Sequence, residues 1–309
     1  MKSKAVVMHA TGAPSVLGIE DVELSPLRDG EVRIRSLASA VNHSDLEIRA
    51  GVWDIRRTPQ FPYVPGLEVV GEVVDVASGV TYVRPGDIVW TTMQGLGGVR
   101  AERDGGYAEH VTVSSKAIAL LPGTVDPVAF AAVGLAGVTA YMGLGKLGDL
   151  SGKTLVVTGP EGGVGSLAVM LARELGANVI EHGRGSSPLM PRTVDAVFDV
   201  VAGPLFPELV TALRHGGRYC LVGAVAGGDV CFDAWSLIDG ITLTGYSTED
   251  ITGEELRTAT DALLRIKLPA AKYTVLPLAE AARAHAMLES REVKGRIVLV
   301  PEVGDCTPA

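Results

Sequence analysis

The chain has 309 residues, 47% of them hydrophobic, with a mean hydropathy of +0.29, which is enough for two domains with sizeable cores and excludes a disordered chain. A net charge of −9 without basic runs excludes nucleic acid and anionic membrane surfaces as expected partners. The opening MKSKAVVMHATG has no long apolar stretch, no window approaches the roughly eighteen apolar residues of a membrane span, and Cys220, Cys231 and Cys306 show no C-x-x-C spacing; a soluble, cytoplasmic protein is expected.

From Lys4 to about Pro122 the signals are short strands separated by glycine, proline and aspartate: AVVM, GIEDVEL, EVRIRSLASAV, VVGEVVDVA, GDIVW and YAEHVTV. One short helix, His43 to Ala50, is predicted ahead of a turn at Gly51. Asp126 can cap a helix running through PVAFAAVGLAGVTAYMGLGKL, which is apolar nearly all round.

Next comes KTLVVTGPEGGVGSLAVMLARELG, Lys153 to Gly176. A branched run (Thr154 to Thr158) reads as a buried strand, the glycine-rich segment as a tight turn, and the spacing from Ser166 as a helix. In a doubly wound α/β sheet, such a unit aims backbone N–H groups and a positive helix end at a pyrophosphate. There follow a strand NVIEH, a strand at Asp195 to Val201, a helix at Pro204 to Arg214 and a strand at Arg218 to Val222, an alternation that implies a parallel sheet. After Thr242 to Tyr246 and a helix near Gly253 to Lys267, the tail returns to strand signals (KYTVLPL, GRIVLVP) around a helix AEAARAHAMLES. The middle therefore reads as a domain inserted into a β-rich one: residues 1–124 and 270–309 form one domain, and 125–269 the other.

Eight stretches in order along nearly the whole chain carry a family likeness: VNHSDLEIRAG, PYVPGLEVVGEV, RPGDIVW, GGYAEHVTV, LAGVTAY, TGPEGGVG, GGRYCLVG and KGRIVLV. The chain resembles the medium-chain dehydrogenase/reductase superfamily, in particular its zinc-independent quinone oxidoreductase and enoyl reductase branch. The resemblance implies an α/β protein with a GroES-like β domain, a Rossmann-type domain, a cleft between them and a homodimer. It also implies hydride transfer from NADPH to a conjugated enone, quinone or enoyl substrate that is small and apolar. Zinc-dependent relatives use a cysteine where this chain has Asn42 and a histidine where it has Leu67, and the stretch from Thr91 to Asp104 holds no cysteine lobe, so no metal is expected.

The resemblance carries residues with it. Thr139 would lie against the nicotinamide; Gly162, Gly163, Val164, Gly165 and Gly223 would line the cofactor site; Asn42 would hydrogen-bond cofactor ribose or substrate; Asp45 would act beside it or brace its helix. The tyrosine that relatives use as proton donor is missing, with Leu46, Glu47 and Trp53 at the candidate places. Glu47 serves as an acid if burial raises its pKa, and is otherwise a solvated helix residue. Trp53 is either a substrate-pocket wall or ordinary core, and His43 alone makes no metal site.

Three departures bear on the cofactor. In the G-x-G-x-x-G scheme Gly162 and Gly165 take the second and third roles and Pro160 the first. Glu161 either faces the pyrophosphate, at a cost of about 1–4 kcal/mol at ~4 Å, or points to solvent and favours the helix N-terminus. After NVIEH, the usual helix and third strand are replaced by GRGSSPLMPRTV, too rich in proline and glycine for a helix. Crossing to the next strand needs roughly 20 Å and eleven extended residues reach about 36 Å, so a plain loop closes the gap and Asn178–His182 becomes the sheet edge. Arg184, just past that strand, suits the 2′-phosphate of NADPH or is a plain surface arginine. A second function stays open beside the reductase: a redox-inactive member that has lost the dinucleotide and binds or cyclises an apolar metabolite.

Overall fold

A computed structural model describes residues 2–52, 60–96, 103–266, 272–293 and 295–302. In chain order the elements are β1 (Lys2–Val7), β2 (Gly18–Glu23), β3 (Glu31–Val41), α1 (His43–Ala50), β4 (Glu68–Val76), β5 (Ile88–Thr92), β6 (His110–Ser114), β7 (Ala119–Leu120), α2 (Pro127–Ala131), α3 (Gly134–Gly145), β8 (Thr154–Thr158), α4 (Gly163–Glu174), β9 (Asn178–His182), β10 (Val194–Asp199), α5 (Phe206–Ala212), β11 (Leu213–Leu221), β12 (Thr242–Gly245), α6 (Gly253–Arg265), β13 (Tyr273–Pro277), α7 (Ala281–Glu289) and β14 (Arg296–Val300). Two compact units result: Met1–Leu135 with Glu249–Thr260 and Pro269–Ala309, and Ala136–Thr248 with Asp261–Leu268.

In the first unit β3 is the hub. It pairs antiparallel with β4, β6 and β14, and the sheet continues from β14 to β13 and from β4 through β5 to β7. Alternating side chains of β3 (Val32, Ile34) and β4 (Val69, Val73) enter one core with Val89, Val113, Ile118 and Leu299. The sequence boundaries gave α2 and all of α6 to the middle domain. In the structure α2 packs on β3, β4 and β14, and on α6 Thr260 accepts the Trp90 indole N–H at 2.9 Å while Arg257 donates to the Lys116 carbonyl at 3.2 Å.

The continuous apolar helix expected from Pro127 is broken into α2 and α3. Asp126 caps the first piece by accepting from Val128 N at 2.9 Å. The Glu68 carboxylate takes Leu135 N at 2.9 Å, and a Cβ on Gly134 would lie 2.7 Å from that carboxylate, so a new helix begins there.

The second unit is a five-stranded parallel sheet in the order β12-β11-β10-β8-β9. β8 lies between β10 and β9 and is buried from Leu155 onward, as a parallel strand covered on both faces must be. The sheet ends at β9, and among the described residues no third strand lies beyond it. The helix expected to Arg214 stops at Ala212, and Leu213 already pairs as the start of β11 opposite Val194. The segment 183–193 has neither helix nor strand and is fastened to α5: Leu189 N donates to Glu208 at 2.8 Å and Thr193 N to the Ala212 carbonyl at 2.8 Å. Among the described residues no helix is long and apolar enough to cross a membrane.

A Cβ on Gly165 would lie 2.1 Å from the Gly159 carbonyl, whereas one on Gly145 meets nothing within 4 Å. Gly165→Ala is expected to lower stability by about 1–3 kcal/mol, and Gly145→Ala to leave it unchanged or raise it by up to about 1 kcal/mol, both read from urea midpoints.

Candidate functional site

The strand-turn-helix unit forms the turn foreseen in the sequence, with one role reassigned. Gly159, not Pro160, makes the bend: its φ is +56°, and the space its Cβ would need is taken by Val200, 2.8 Å away. The spacing is thus G-x-x-G-x-x-G over Gly159, Gly162 and Gly165. Gly165 lets α4 settle on the end of β8, as the close approach to Gly159 requires. Gly162 is the helix N-cap in an extended conformation with no side-chain cap, so no side chain occupies the mouth of the first turn of a twelve-residue helix. Glu161 is exposed. These groups fit a pyrophosphate: small residues, backbone N–H groups at a helix start, and a carboxylate held outward in water.

The turn rests on a buried carboxylate that sequence reading passed over. Asp199, at the end of β10, accepts from the Thr158 hydroxyl at 2.5 Å, from the Tyr219 hydroxyl, and from Val201 N and Ala202 N at 2.8 and 3.0 Å. The Thr158 hydroxyl in turn accepts Val200 N at 2.9 Å. Ala202, a non-glycine at φ +54°, is held in that conformation by its bond to Asp199. Burial and the Asp199 carboxylate both raise the Tyr219 pKa, keeping the phenol a donor. The ends of β8 and β10 are therefore one hydrogen-bonded block beneath the two turns at the crevice end of the sheet. The pair Asp199 and Thr158, each closing a buried β run, was the available signal.

The other expected cofactor residues of this unit are placed as follows. Gly163 and Val164 open α4 and are partly buried, and Gly165 is buried. Gly223 follows β11, and its Cβ would lie 3.1 Å from the Val200 carbonyl. Thr139 is half-buried on α3, and Arg184 is exposed just beyond β9. Pro160 packs toward Gly183, where a Cβ would lie 3.6 Å from its ring.

In the first unit, Asn42 and Asp45 belong to a buried network. The Asn42 side-chain N–H donates to Glu68 at 2.8 Å, and Arg296 donates to the Asn42 carbonyl oxygen at 2.6 Å and to Glu68 at 3.3 Å. The Glu68 carboxylate, 0% exposed, is pushed upward in pKa by burial and pulled back by Arg296 and by these hydrogen bonds. Asp45 accepts Asn42 N at 2.8 Å and Leu67 N at 3.0 Å, capping α1 and tying it to the start of β4, and burial raises its pKa to about 7. Asn42 thus has both ends of its amide engaged inside the protein. Glu47 is half-buried on α1, its pKa raised by desolvation against the opposing pull of His43, 3.8 Å away. Trp53 lies outside the described residues. Glu68 and Arg296 were the missed residues; a glutamate inside the apolar run GLEVVGEV is the signal that marked the first.

Residues 28–123 match the alcohol dehydrogenase GroES-like domain family and residues 175–299 the zinc-binding dehydrogenase family. An alcohol dehydrogenase of Geobacillus stearothermophilus is 30% identical over 265 residues, covering 71% of this chain and 77% of that protein. The chain belongs to the medium-chain dehydrogenase/reductase superfamily. The 2-methylene-furan-3-one reductase of Solanum lycopersicum is 36% identical over 238 residues, covering 69% of this chain and 61% of that protein. The crystal structure of Escherichia coli quinone oxidoreductase complexed with NADPH matches with a TM-score of 0.81 at 25% identity, covering 96% of this chain and 100% of that one. These relatives of the superfamily member are oxidoreductases by name.

One matching family is named for zinc, so the donor set is informative. Asn42 presents an amide already engaged by Glu68 and Arg296, and Leu67 an apolar side chain buried in the core. Neither supplies a zinc ligand, and among the described residues no group of three or more His, Cys, Asp or Glu side chains is placed to hold a metal.

Arg296→Met leaves Glu68 buried without its cation and is expected to cost about 3–5 kcal/mol at pH 8. Glu68→Gln combined with Arg296→Met is expected to recover more than about half of that loss, as measured by a double-mutant cycle in urea.

Proposed function

We propose that the chain is an NADPH-dependent reductase of conjugated enones, quinones or enoyl compounds. The observation that carries the reading is the turn from Gly159 to Gly165, where a left-handed glycine, a closely packed glycine and an uncapped helix start leave backbone N–H groups facing the crevice end of the sheet. Relatives named for NADPH and for enone or quinone reduction support the same reading.

In this proposal the backbone N–H groups of Gly163 and Val164 bind the pyrophosphate, with Gly162, whose own N–H is held by the Gly159 carbonyl at 2.9 Å, giving it room to approach, and Arg184 pairs with the 2′-phosphate. Gly183, at the place where an acidic residue would hold an unphosphorylated ribose, offers no competing carboxylate. Thr139 orients the nicotinamide end. When bound, the cofactor supplies a hydride to the β-carbon of the conjugated system. We assign the proton for the other carbon to Glu47, whose pKa is raised by partial burial. Asn42, Glu68 and Arg296 brace the start of α1 and the Leu135 backbone, a structural role.

We also propose that two copies pair through the β12 edge of the sheet. The connection from β11 to β12 exposes Val225, Val230, Leu237, Ile238 (71% exposed) and Trp235 (75% exposed), apolar side chains that a second copy would cover. A second copy brings both a matching strand edge and a matching apolar group to the same place, which a twofold contact requires. Light scattering should give twice the chain mass for the unaltered protein and a monomer for Trp235→Glu/Ile238→Glu with unchanged circular dichroism.

Titration with NADPH by calorimetry should give saturable micromolar binding. Arg184→Glu should weaken it by about tenfold or more while leaving NADH within about twofold. No binding at millimolar NADPH, together with turnover of an apolar metabolite in its absence, would instead establish the redox-inactive reading.

A further inference from the structure

The cofactor reading above is the premise here. In a doubly wound unit the ribose of the adenosine half reaches the end of the second strand, about twenty residues beyond the glycine turn. In this chain that place is the end of β9, at Gly183 and Arg184. What stands around it is set by the eleven residues 183–193.

Those residues are committed elsewhere. Gly183 N donates to the Ser186 hydroxyl at 3.0 Å and Ser186 N returns to the Gly183 carbonyl at 3.2 Å, closing a tight turn with Gly185 at φ +81°. From Leu189 onward the chain is drawn down onto α5. Leu189 N is held by Glu208 at 2.8 Å, Arg192 N by the Thr211 carbonyl at 3.1 Å and Thr193 N by the Ala212 carbonyl at 2.8 Å. The Leu189 side chain packs against the core of Val156, Phe206 and Leu209. His182, the last residue of β9, is itself buried and turned toward Glu208 at 3.7 Å. The backbone at 183, 186, 189, 192 and 193 is thus engaged within the turn or on α5, and residues 184–188 are exposed. β9 is also the last strand of the sheet, with Ile180 exposed beside it. On the inner flank Pro160 stands against Gly183 and supplies a wall, so the deletion opens one side only.

We infer that the adenine end of the bound dinucleotide is open to solvent on its outer flank, so that recognition lies in the pyrophosphate turn and the Arg184 charge, and cofactors altered on the adenine ring are accepted. A ring that meets the protein on one edge loses little when its other edge is enlarged, because no pocket has to expand. The specificity of the site is thereby shifted from adenine to phosphate.

The test uses the full chain with NADPH and with 1,N6-etheno-NADPH, whose extra ring lies on the adenine and is fluorescent. The two dissociation constants, by calorimetry, should agree within about threefold, and acrylamide should quench the bound etheno ring with at least about half the constant of the free analogue. A larger affinity gap, or stronger protection from acrylamide, overturns the inference. If NADPH binds and the analogue does not, the inference falls alone and the cofactor reading stands; if neither binds, both fall.

Discussion

The Asp199 carboxylate is the constraint on which the functional end of the sheet depends. A buried carboxylate has to be satisfied, and this one is satisfied by four donors from three neighbouring parts of the chain: Thr158 at the end of β8, Tyr219 on β11, and the backbone of Val201 and Ala202. The consequence is that two turns cannot move independently. Gly159 bends directly after Thr158 and is packed by Val200, so the glycine turn and the turn after β10 share one anchor. The start of α4 is thereby held from below and not by a side-chain cap.

The β-rich unit has the same logic with a different result. Glu68 is a fully buried acid kept in place by Arg296, by the Asn42 amide and by Leu135 N. Its bond to Leu135 starts a helix, and its bond to Asn42 fixes the residue that begins α1. Asp45 completes the arrangement from the other side of Asn42. At Asn42 the chain has built a closed polar network. The network is self-consistent: an amide fills the gap between carboxylate and guanidinium with both of its polar ends used.

The shortened connection after β9 illustrates how a deletion is absorbed. Removing a helix and a strand from the outside of a parallel sheet leaves the inner pairings intact, because β8 still lies between β9 and β10. The cost falls on the freed connection, whose backbone groups need new partners. α5 supplies them through Glu208 and two carbonyls near its C-terminal end. The connection is thus fastened on the α5 side, and β9 remains the last strand of the sheet.

Much of this was legible in the chain alone. The glycine turn, the α1 boundaries at His43 and Ala50, the strand NVIEH and its place at the sheet edge follow from spacing, from left-handed glycines after helices and from the reach of eleven residues, all of them local or geometric limits. The βα alternation of the middle segment was legible too, because its strand and helix signals follow one another in turn. What tertiary structure alone decided are the partnerships of single polar residues. Whether a helix continues through Ala132 and Val133 depends on a carboxylate some seventy residues earlier in the sequence. Whether Asn42 faces a ligand or a neighbour depends on Arg296 at the far end of the chain. Whether Pro160 or Gly159 makes the bend depends on where Val200 lies. Local sequence sets what a segment is able to form, but a buried charge chooses its partners by proximity in space, and that proximity exists only once the sheets have closed.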